Sequence, residues 1–389
     1  MSEWKKVKLG ELCKNVTSGG TPKSSVASYY NPPTVPWLKT KEVNYCRIYE
    51  TENHISEEGL HNSSAKMIPS NSIIVAMYGQ GDTAGRVAIN KIPVTTNQAC
   101  CNLTIDENKA DYEFVYYHLC TLYDKLVSLK NGGAQPNLNA GIIKDLEINL
   151  PPLSTQHRIA TILSRYDSLI ENYQKQIKLL EEAAQRLYKE WFVNLRFPGH
   201  ESTNIVDGVP EGWEKKSVDS IYNIKYGKNL STKLITETGK YPVYGANGVI
   251  GYYDKANCNE QVVLITSRGN GSGDVLMTHH KDAFITNNSF VVTPAEGFEY
   301  CKLPFTFQFL RMANFRAVRT GAAQPQLTNQ SIHTVDVILP NKHLIEKFCI
   351  STIGMNDAII KYREQLRLLT EARDRLLPKL MGGEIEVQV

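Results

Sequence analysis

The sequence predicts an α+β chain: two small mixed-sheet domains joined by two long antiparallel coiled-coil helices in a pseudo-two-fold arrangement. Three observations carry this expectation. There is an unbroken hydrophobic seam between Leu153 and Phe192, a second copy of it 189 residues later, and a block of short strand-like runs with glycine-rich turns before each copy. The first seam comprises Ile159, Leu163, Tyr166, Ile170, Tyr173, Ile177, Leu180, Ala184, Leu187 and Trp191. Its alternating steps of four and three residues are those of a coiled coil. At about 1.5 Å per residue such a helix reaches roughly 57 Å, and its apolar stripe needs a second helix to cover it.

The second seam comprises Phe348, Thr352, Met355, Ile359, Tyr362, Leu366, Leu369, Arg373, Leu376 and Leu380, with Thr352 and Arg373 as its two polar members. The copy extends beyond the helices. Ala134-Gln135-Pro136-Asn137-Leu138 recurs as Ala323-Gln324-Pro325-Gln326-Leu327, Leu150-Pro151 as Leu339-Pro340, and Arg186-Leu187 as Arg375-Leu376. This is a tandem duplication. The order is domain, helix, domain, helix, so if the two seams pair within the chain they must run antiparallel. The expected boundaries are domain one at 1–152, the first helix at 153–193, a linker at 194–211, domain two at 212–340, the second helix at 341–381 and a tail at 382–389.

Composition sets limits. The 389 residues carry a net charge of +3, with 42% hydrophobic and 21% charged residues, as in an ordinary globular protein. Residues 1–150 hold 15 basic and 15 acidic side chains, net 0, and residues 212–340 hold 13 and 10, net +3. Any surface for nucleic acid is therefore made by placement rather than bulk charge. The eight cysteines show no C-x-x-C pair and no disulfide-like spacing. With no signal peptide and no apolar run near 18 residues, the expected location is cytoplasmic.

In domain one the polar turn Thr17–Lys23 follows Trp4–Leu9. Strand-like pieces come at Val35–Leu38, Ser72–Met77, Val87–Ile89 and Cys101–Ile105, a helix at Asp111–Leu129 and a last strand at Ile148–Leu150. Pro151-Pro152 then opens the long helix. Domain two starts at Gly212-Trp213, echoing Trp4, and has a strand at Val262–Thr266. Its loop Ser267–Gly273 holds the place of Tyr78–Gly85, and Thr286-Asn287-Asn288 matches Thr96-Asn97-Gln98. Short strands mixed with one helix make each domain α+β.

Catalytic motifs are absent. Asn31-Pro32-Pro33-Thr34 has threonine where an adenine methyltransferase motif needs an aromatic residue to stack on a flipped base, so it reads as a turn. Gly269-x-Gly271-x-Gly273 falls short of a dinucleotide fingerprint, and no phosphate loop is found. His279-His280 lacks the spacing of a metal site and reads as surface histidines. No metal ligand and no catalytic residue is assigned. What remains is a set of polar loops with Arg, Lys, Asn and Gln, the residue types that read guanine and adenine edges. The candidate DNA-binding residues are Thr21, Lys23, Lys39, Lys41, Gln80, Arg86, Gln98 and Gln135 in domain one. In domain two they are Lys225, Tyr226, Lys228, Asn247, Arg268, Asn270, Asn288, Arg316, Arg319 and Gln324.

These pieces, in this order, resemble the specificity subunit of type I restriction–modification systems over essentially the full chain. The resemblance rests on the duplication, on Leu187-Tyr188-Lys189-Glu190-Trp191-Phe192 leading to Arg196-Phe197-Pro198-Gly199, and on Pro210-Glu211-Gly212-Trp213. Tyr241–Gly251, Gln135-Pro136 with Gln324-Pro325, and Leu376-Leu377-Pro378-Lys379-Leu380 add to it. It implies two target-recognition domains, each reading half of a split site on double-stranded DNA, and a helix pair that sets their spacing and docks two methyltransferase subunits. S-adenosylmethionine, for methylation of adenine N6, would belong to those partners, and ATP and Mg to restriction subunits; the chain itself would hold no cofactor. The competing expectation is a coiled-coil scaffold with two protein-binding domains and no DNA role.

Overall fold

The structure, a computed structural model, describes residues 4–130, 137–321 and 324–388. It divides into two compact units, Met1–Ile170 with Leu368–Val389, and Glu171–Arg367. Each unit thus holds one domain together with part of each long helix.

In the first unit a five-stranded sheet runs in the order Cys13–Ser18, Cys100–Ile105, Ile73–Ala76, Val87–Asn90, Arg47–Ile48, and only the last pair is parallel. Strand Ile73–Ala76 is buried on both faces, and alternation assigns its residues. Ile73 and Val75 join the core that holds Phe114, while Ile74 and Ala76 join the one that holds Leu38 and Ile68. A three-stranded sheet sets Val35–Leu38 between His54–Ile55 and Thr95–Thr96. Lys5–Lys8 pairs with Glu147–Leu150 and so ties the start of the domain to its end. The helix expected at Asp111–Leu129 is two: Asp111 caps Tyr112–Thr121 by accepting from the Phe114 amide at 2.9 Å, and Tyr123–Ser128 follows. Leu122 leaves helical geometry at φ −104°, ψ 16°, which turns the chain so that Leu126 also reaches the core.

The second unit repeats this plan. A four-stranded sheet runs Tyr222–Tyr226, Ser289–Pro294, Val263–Thr266, Val275–Met277, and a three-stranded one runs Gly248–Tyr253, Tyr241–Gly245, Phe284–Ile285. Glu214–Ser217 pairs with Asp336–Leu339 as Lys5–Lys8 pairs with Glu147–Leu150. Leu303–Met312 is the counterpart of Tyr112–Thr121, ten residues each. The expected linker is partly structured: Phe197 is buried and packs on Trp213 with ring centroids 5.6 Å apart, and Ile205–Val206 pairs with Val209–Pro210.

The first long helix spans Leu153–Tyr188, directly after Pro151-Pro152, and widens into a π turn over Lys189–Val193. The second spans Lys342–Met381, capped by Asn341, whose Oδ1 accepts from the Leu344 amide at 2.9 Å. It ends at Gly382-Gly383, where φ is +72° at Gly383. Within the first unit Ile159 and Leu163 share a core with Leu376, Leu380 and Met381. Within the second, Tyr173 stacks on Tyr362 at 5.1 Å and Tyr188 meets Phe348 at 5.7 Å. Rising numbers on one helix meet falling numbers on the other, so the pairing is antiparallel in both units.

The seam residues are covered unevenly. Ile159, Leu163, Ile170, Ile177, Phe348 and Ile359 are buried, whereas Tyr166, Tyr173, Leu180, Leu187, Tyr362, Leu366, Leu369 and Leu376 are half-buried. Ile159 and Leu163 lie in the core of the first unit and Phe348 in that of the second, where the domain adds a third layer to the helix pair. The two polar seam residues have separate explanations. Thr352 is buried and donates to the Phe348 carbonyl of its own helix at 2.8 Å. Arg373 donates to Asp167 of the first helix at 2.8 Å.

His279-His280 departs from the expectation of surface histidines. Both are half-buried; the Tyr244 hydroxyl is 2.9 Å from the His280 Nδ1 and accepts from the His279 amide at 2.9 Å. Burial, with Arg363 and His280 nearby, pushes the His279 imidazole down to about 3, so it is neutral. All eight cysteines are free thiols. Among the described residues no helix is long and apolar enough to cross a membrane, and no His, Cys, Asp and Glu group could hold a metal ion.

Candidate nucleic-acid interface

At one end of each sheet pair, loops distant in sequence are sewn together by backbone hydrogen bonds. In domain one the Gly19 amide donates to Cys100 O at 3.3 Å and Gly20 to Thr96 O at 2.8 Å. Asn97 donates to Leu38 O at 3.0 Å, Met77 to Ala99 O at 2.8 Å and Leu138 to Met77 O at 3.0 Å. Domain two makes the same five bonds. Gly227 donates to Ser289 O, Lys228 to Ile285 O and Thr286 to Tyr244 O, each at 3.0 Å; Ser267 donates to Asn288 O at 2.8 Å and Leu327 to Ser267 O at 2.7 Å.

This pattern corrects the sequence alignment by one residue. Asn97 takes the place of Thr286, so Thr96-Asn97-Gln98 corresponds to Ile285-Thr286-Asn287 and not to Thr286-Asn287-Asn288. The correspondence of Tyr78–Gly85 with the loop after Thr266 holds. Gly85 donates to Ala76 O and Gly273 to Thr266 O, both at 2.8 Å, and both glycines have positive φ, +96° and +87°.

Two glycines essential to this geometry were not singled out by sequence. A Cβ at Gly19 would lie 2.2 Å from Thr96 O, and one at Gly227 would lie 2.3 Å from Thr286 O. Only a residue without a side chain lets the two loops approach this closely. The shared signal is a glycine directly after the first strand of the larger sheet in each domain, Cys13–Ser18 and Tyr222–Tyr226. It escaped notice because the two do not obey the 189-residue shift, domain one carrying extra chain between this turn and Thr96.

The candidate side chains divide by what already holds them. In domain one Thr21 and Gln98 bond to each other. Lys39 donates to Asn53 at 3.0 Å and lies 4.7 Å over the Trp37 ring, while Lys41 pairs with Glu52 at 3.3 Å. Arg86 turns back to Asp82 at 2.7 Å and Asn44 at 2.9 Å. In domain two Arg316 grips Asp274 Oδ1 with two nitrogens at 3.1 and 2.6 Å, and Arg319 donates to the Arg316 and Asn270 carbonyls. Tyr226 packs on Phe290 with centroids 4.2 Å apart, and Asn288 is half-buried beside Ser267. Lys23, Gln80, Lys225, Lys228, Asn247, Arg268 and Gln324 are exposed, and among the described residues their side chains make no hydrogen bond or ion pair. Gln135 lies outside the described residues.

The second loop cluster is the more compact. The Arg268 backbone bridges to Gln326, Gly269 donates to Pro325 O at 3.0 Å, and Arg319 reaches Asn270 O at 3.3 Å. Arg268, Asn270, Arg316, Arg319 and Gln324 are thus brought onto one surface. In domain one the same bonding draws Thr21, Lys39 and Gln98 together around the Trp37 indole, which donates to Gly20 O at 3.1 Å. Lys41 and Arg86 are held on ion pairs of their own. An arrangement of exposed cations and amides on rigidly joined loops suits contact with phosphates and base edges.

Comparison with known proteins follows the same repeat. The family described as Type I restriction modification DNA specificity domain matches residues 1–182 and 210–347. The Type I restriction enzyme MjaIX specificity subunit of Methanocaldococcus jannaschii is 28% identical over 430 residues, covering 100% of this chain and 97% of that one. The putative type I restriction enzyme MjaX specificity subunit of the same organism is 34% identical over 303 residues, covering 73% and 70%. Among solved structures, the S subunit of a type I restriction-modification system from M. genitalium superposes with a TM-score of 0.64 at 19% identity, over 100% of this chain and 97% of that one.

Proposed function

The chain belongs to the type I restriction–modification DNA specificity family, and from that premise we propose that each domain reads one half of a split DNA site through its loop cluster. The observation that carries this reading is the fivefold set of backbone bonds, made identically in both domains and dressed with different side chains. A common frame with unlike tips is what two independent readers of different half-sites require. Lys23, Lys225 and Lys228, all exposed, hold phosphates in this reading, contacts that position the protein without specifying sequence. Arg268, Asn247, Gln80 and Gln324 are of the types that pair with base edges in the major groove.

The helix pair docks two methyltransferase subunits and sets the distance between half-sites. Those subunits bind S-adenosylmethionine and methylate adenine N6, while restriction subunits bring ATP and Mg for translocation and cleavage. The chain contributes recognition and no catalytic group. The test is methylation-sensitive sequencing of a host with and without this gene. One split motif, methylated only when the chain is present, is expected. An unchanged methylation pattern would leave the scaffold reading in its place.

A further inference from the structure

The two halves differ in how each domain is fastened to the long helices. In the first unit Asp167 is the centre of a buried polar network. Its Oδ1 accepts from Arg373 at 2.8 Å, its Oδ2 accepts from the Tyr117 hydroxyl at 2.5 Å, and Arg47 approaches the same carboxylate at 3.8 Å. Arg47 also donates to Tyr117 Oη at 3.1 Å and to Glu113 at 3.3 Å. Tyr117 and Asp167 are 2% and 8% exposed, and the Arg47 side chain 4%. The members come from four elements: the strand at Arg47–Ile48, the Tyr112–Thr121 helix and both long helices.

The repeat shows what stands in the same three places in the second unit. Tyr117, sixth in its ten-residue helix, becomes Gln308; Asp167 becomes Asn356; Arg373 becomes Ala184. All three replacements line one open cleft of ≈ 1050 Å³ between domain two and the helix pair. The Arg363–Glu181 ion pair at that level, 2.6 Å long, joins the two long helices to each other and not to the domain. A charge-assisted network with several directional bonds admits one geometry, and breaking it leaves a buried charge unpaired. The three neutral side chains that stand in those places, Gln308, Asn356 and Ala184, impose no such condition.

We infer that Asp167 and Arg373 are positioning residues that lock domain one onto the helix pair, and that domain two, lacking the lock, is the half that adjusts to variation in the gap between half-sites. This rests on the split-site reading above. The experiment uses the full chain in complex with its methyltransferase partner, on a DNA library in which the gap is varied. Asp167→Asn with Arg373→Ala, which imports the residues of the second half, should raise methylation at gaps one base pair from the preferred one by about tenfold relative to the preferred gap. Arg373→Lys, which keeps the charge, should fall between this variant and the parent. The reverse graft, Ala184→Arg with Asn356→Asp, should narrow the profile. Hydrogen exchange in the same complexes gives a second readout: Tyr112–Thr121 should be slower than Leu303–Met312 in the parent, and the first double variant should remove the difference. Gap profiles and exchange that stay as in the parent in both double variants would overturn the lock. Absence of any sequence-specific methylation in the parent would instead overturn the split-site reading, and exchange would still decide whether the lock exists.

Discussion

Gly19 and Gly227 occupy one and the same place in the two domains, each pressed against a carbonyl of a neighbouring loop so closely that a Cβ would stand 2.2 Å and 2.3 Å from it. That contact is backbone on backbone, so a side chain there cannot be relieved by a rotamer change. It must push the loops apart, at a cost of about 1–3 kcal/mol by analogy with overpacked sites. Gly19→Ala is expected to impair recognition of the half-site read by domain one, and Gly227→Ala only the other. Methylation of sites altered in one half at a time measures this. Equal damage to both halves by either change would mean that the loops are not separate readers.

Arg268 and Arg316 make a matched pair for a specificity test. Arg268 is exposed with its guanidinium unpaired among the described residues, whereas Arg316 is spent on Asp274. Arg268→Ala should cost about 1–3 kcal/mol of discrimination at one position of half-site two if it reads a base. Arg316→Ala should instead loosen the loop and weaken that half without changing the base preferred. Binding measured on single-base variants separates the two. Uniform weakening by Arg268→Ala across all sequences would reassign it to phosphate.

His118 predicts an acid limb of stability. It is 6% exposed, and burial, with a smaller contribution from Lys125, pushes its pKa down to about 4. Its folded pKa lies below the unfolded value, so the unfolded chain takes up the proton first. Stability from this residue is therefore intact above about pH 6.5 and is lost as pH falls from there towards 4, roughly 2 kcal/mol by pH 5. The seventh position of the equivalent helix is Phe309. His118→Phe should be tolerated and should flatten the acid limb of the unfolding midpoint of the first unit between pH 7 and 5. An unchanged pH slope would show that His118 is not what titrates.

The seam can be probed where it is deepest. Leu163 is fully buried, in a core shared with Leu376 and Leu380, while Leu169 on the same helix is 45% exposed. Leu163→Ala should destabilise the first unit by about 2–5 kcal/mol and Leu169→Ala by less than about 0.5. Denaturant midpoints give both values. A cysteine at position 163 should cross-link to one at 376 and not to one at 352; capture at 352 would reverse the antiparallel register.

The duplication, the two long helices and their antiparallel sense were legible because they are written in short-range periodicity and in a constant shift, neither of which depends on knowing any contact. Strands Val35–Leu38 and Val87–Asn90 were found within a residue for the same reason: alternation and flanking turns are local signals. What the tertiary structure alone decided involves partners far apart in the chain. Arg373 is only a polar member of the seam in sequence; its partner Asp167, itself bonded to Tyr117, is given by the fold. The break at Leu122 has no glycine or proline beside it to mark it in sequence. Most of the candidate cations look alike in sequence, yet Arg86, Lys41 and Arg316 are held by carboxylates while Lys228 and Arg268 have no side-chain partner among the described residues. Which charge meets which is set by loop geometry, and in these domains that geometry is built from backbone bonds that require glycine at 19 and 227.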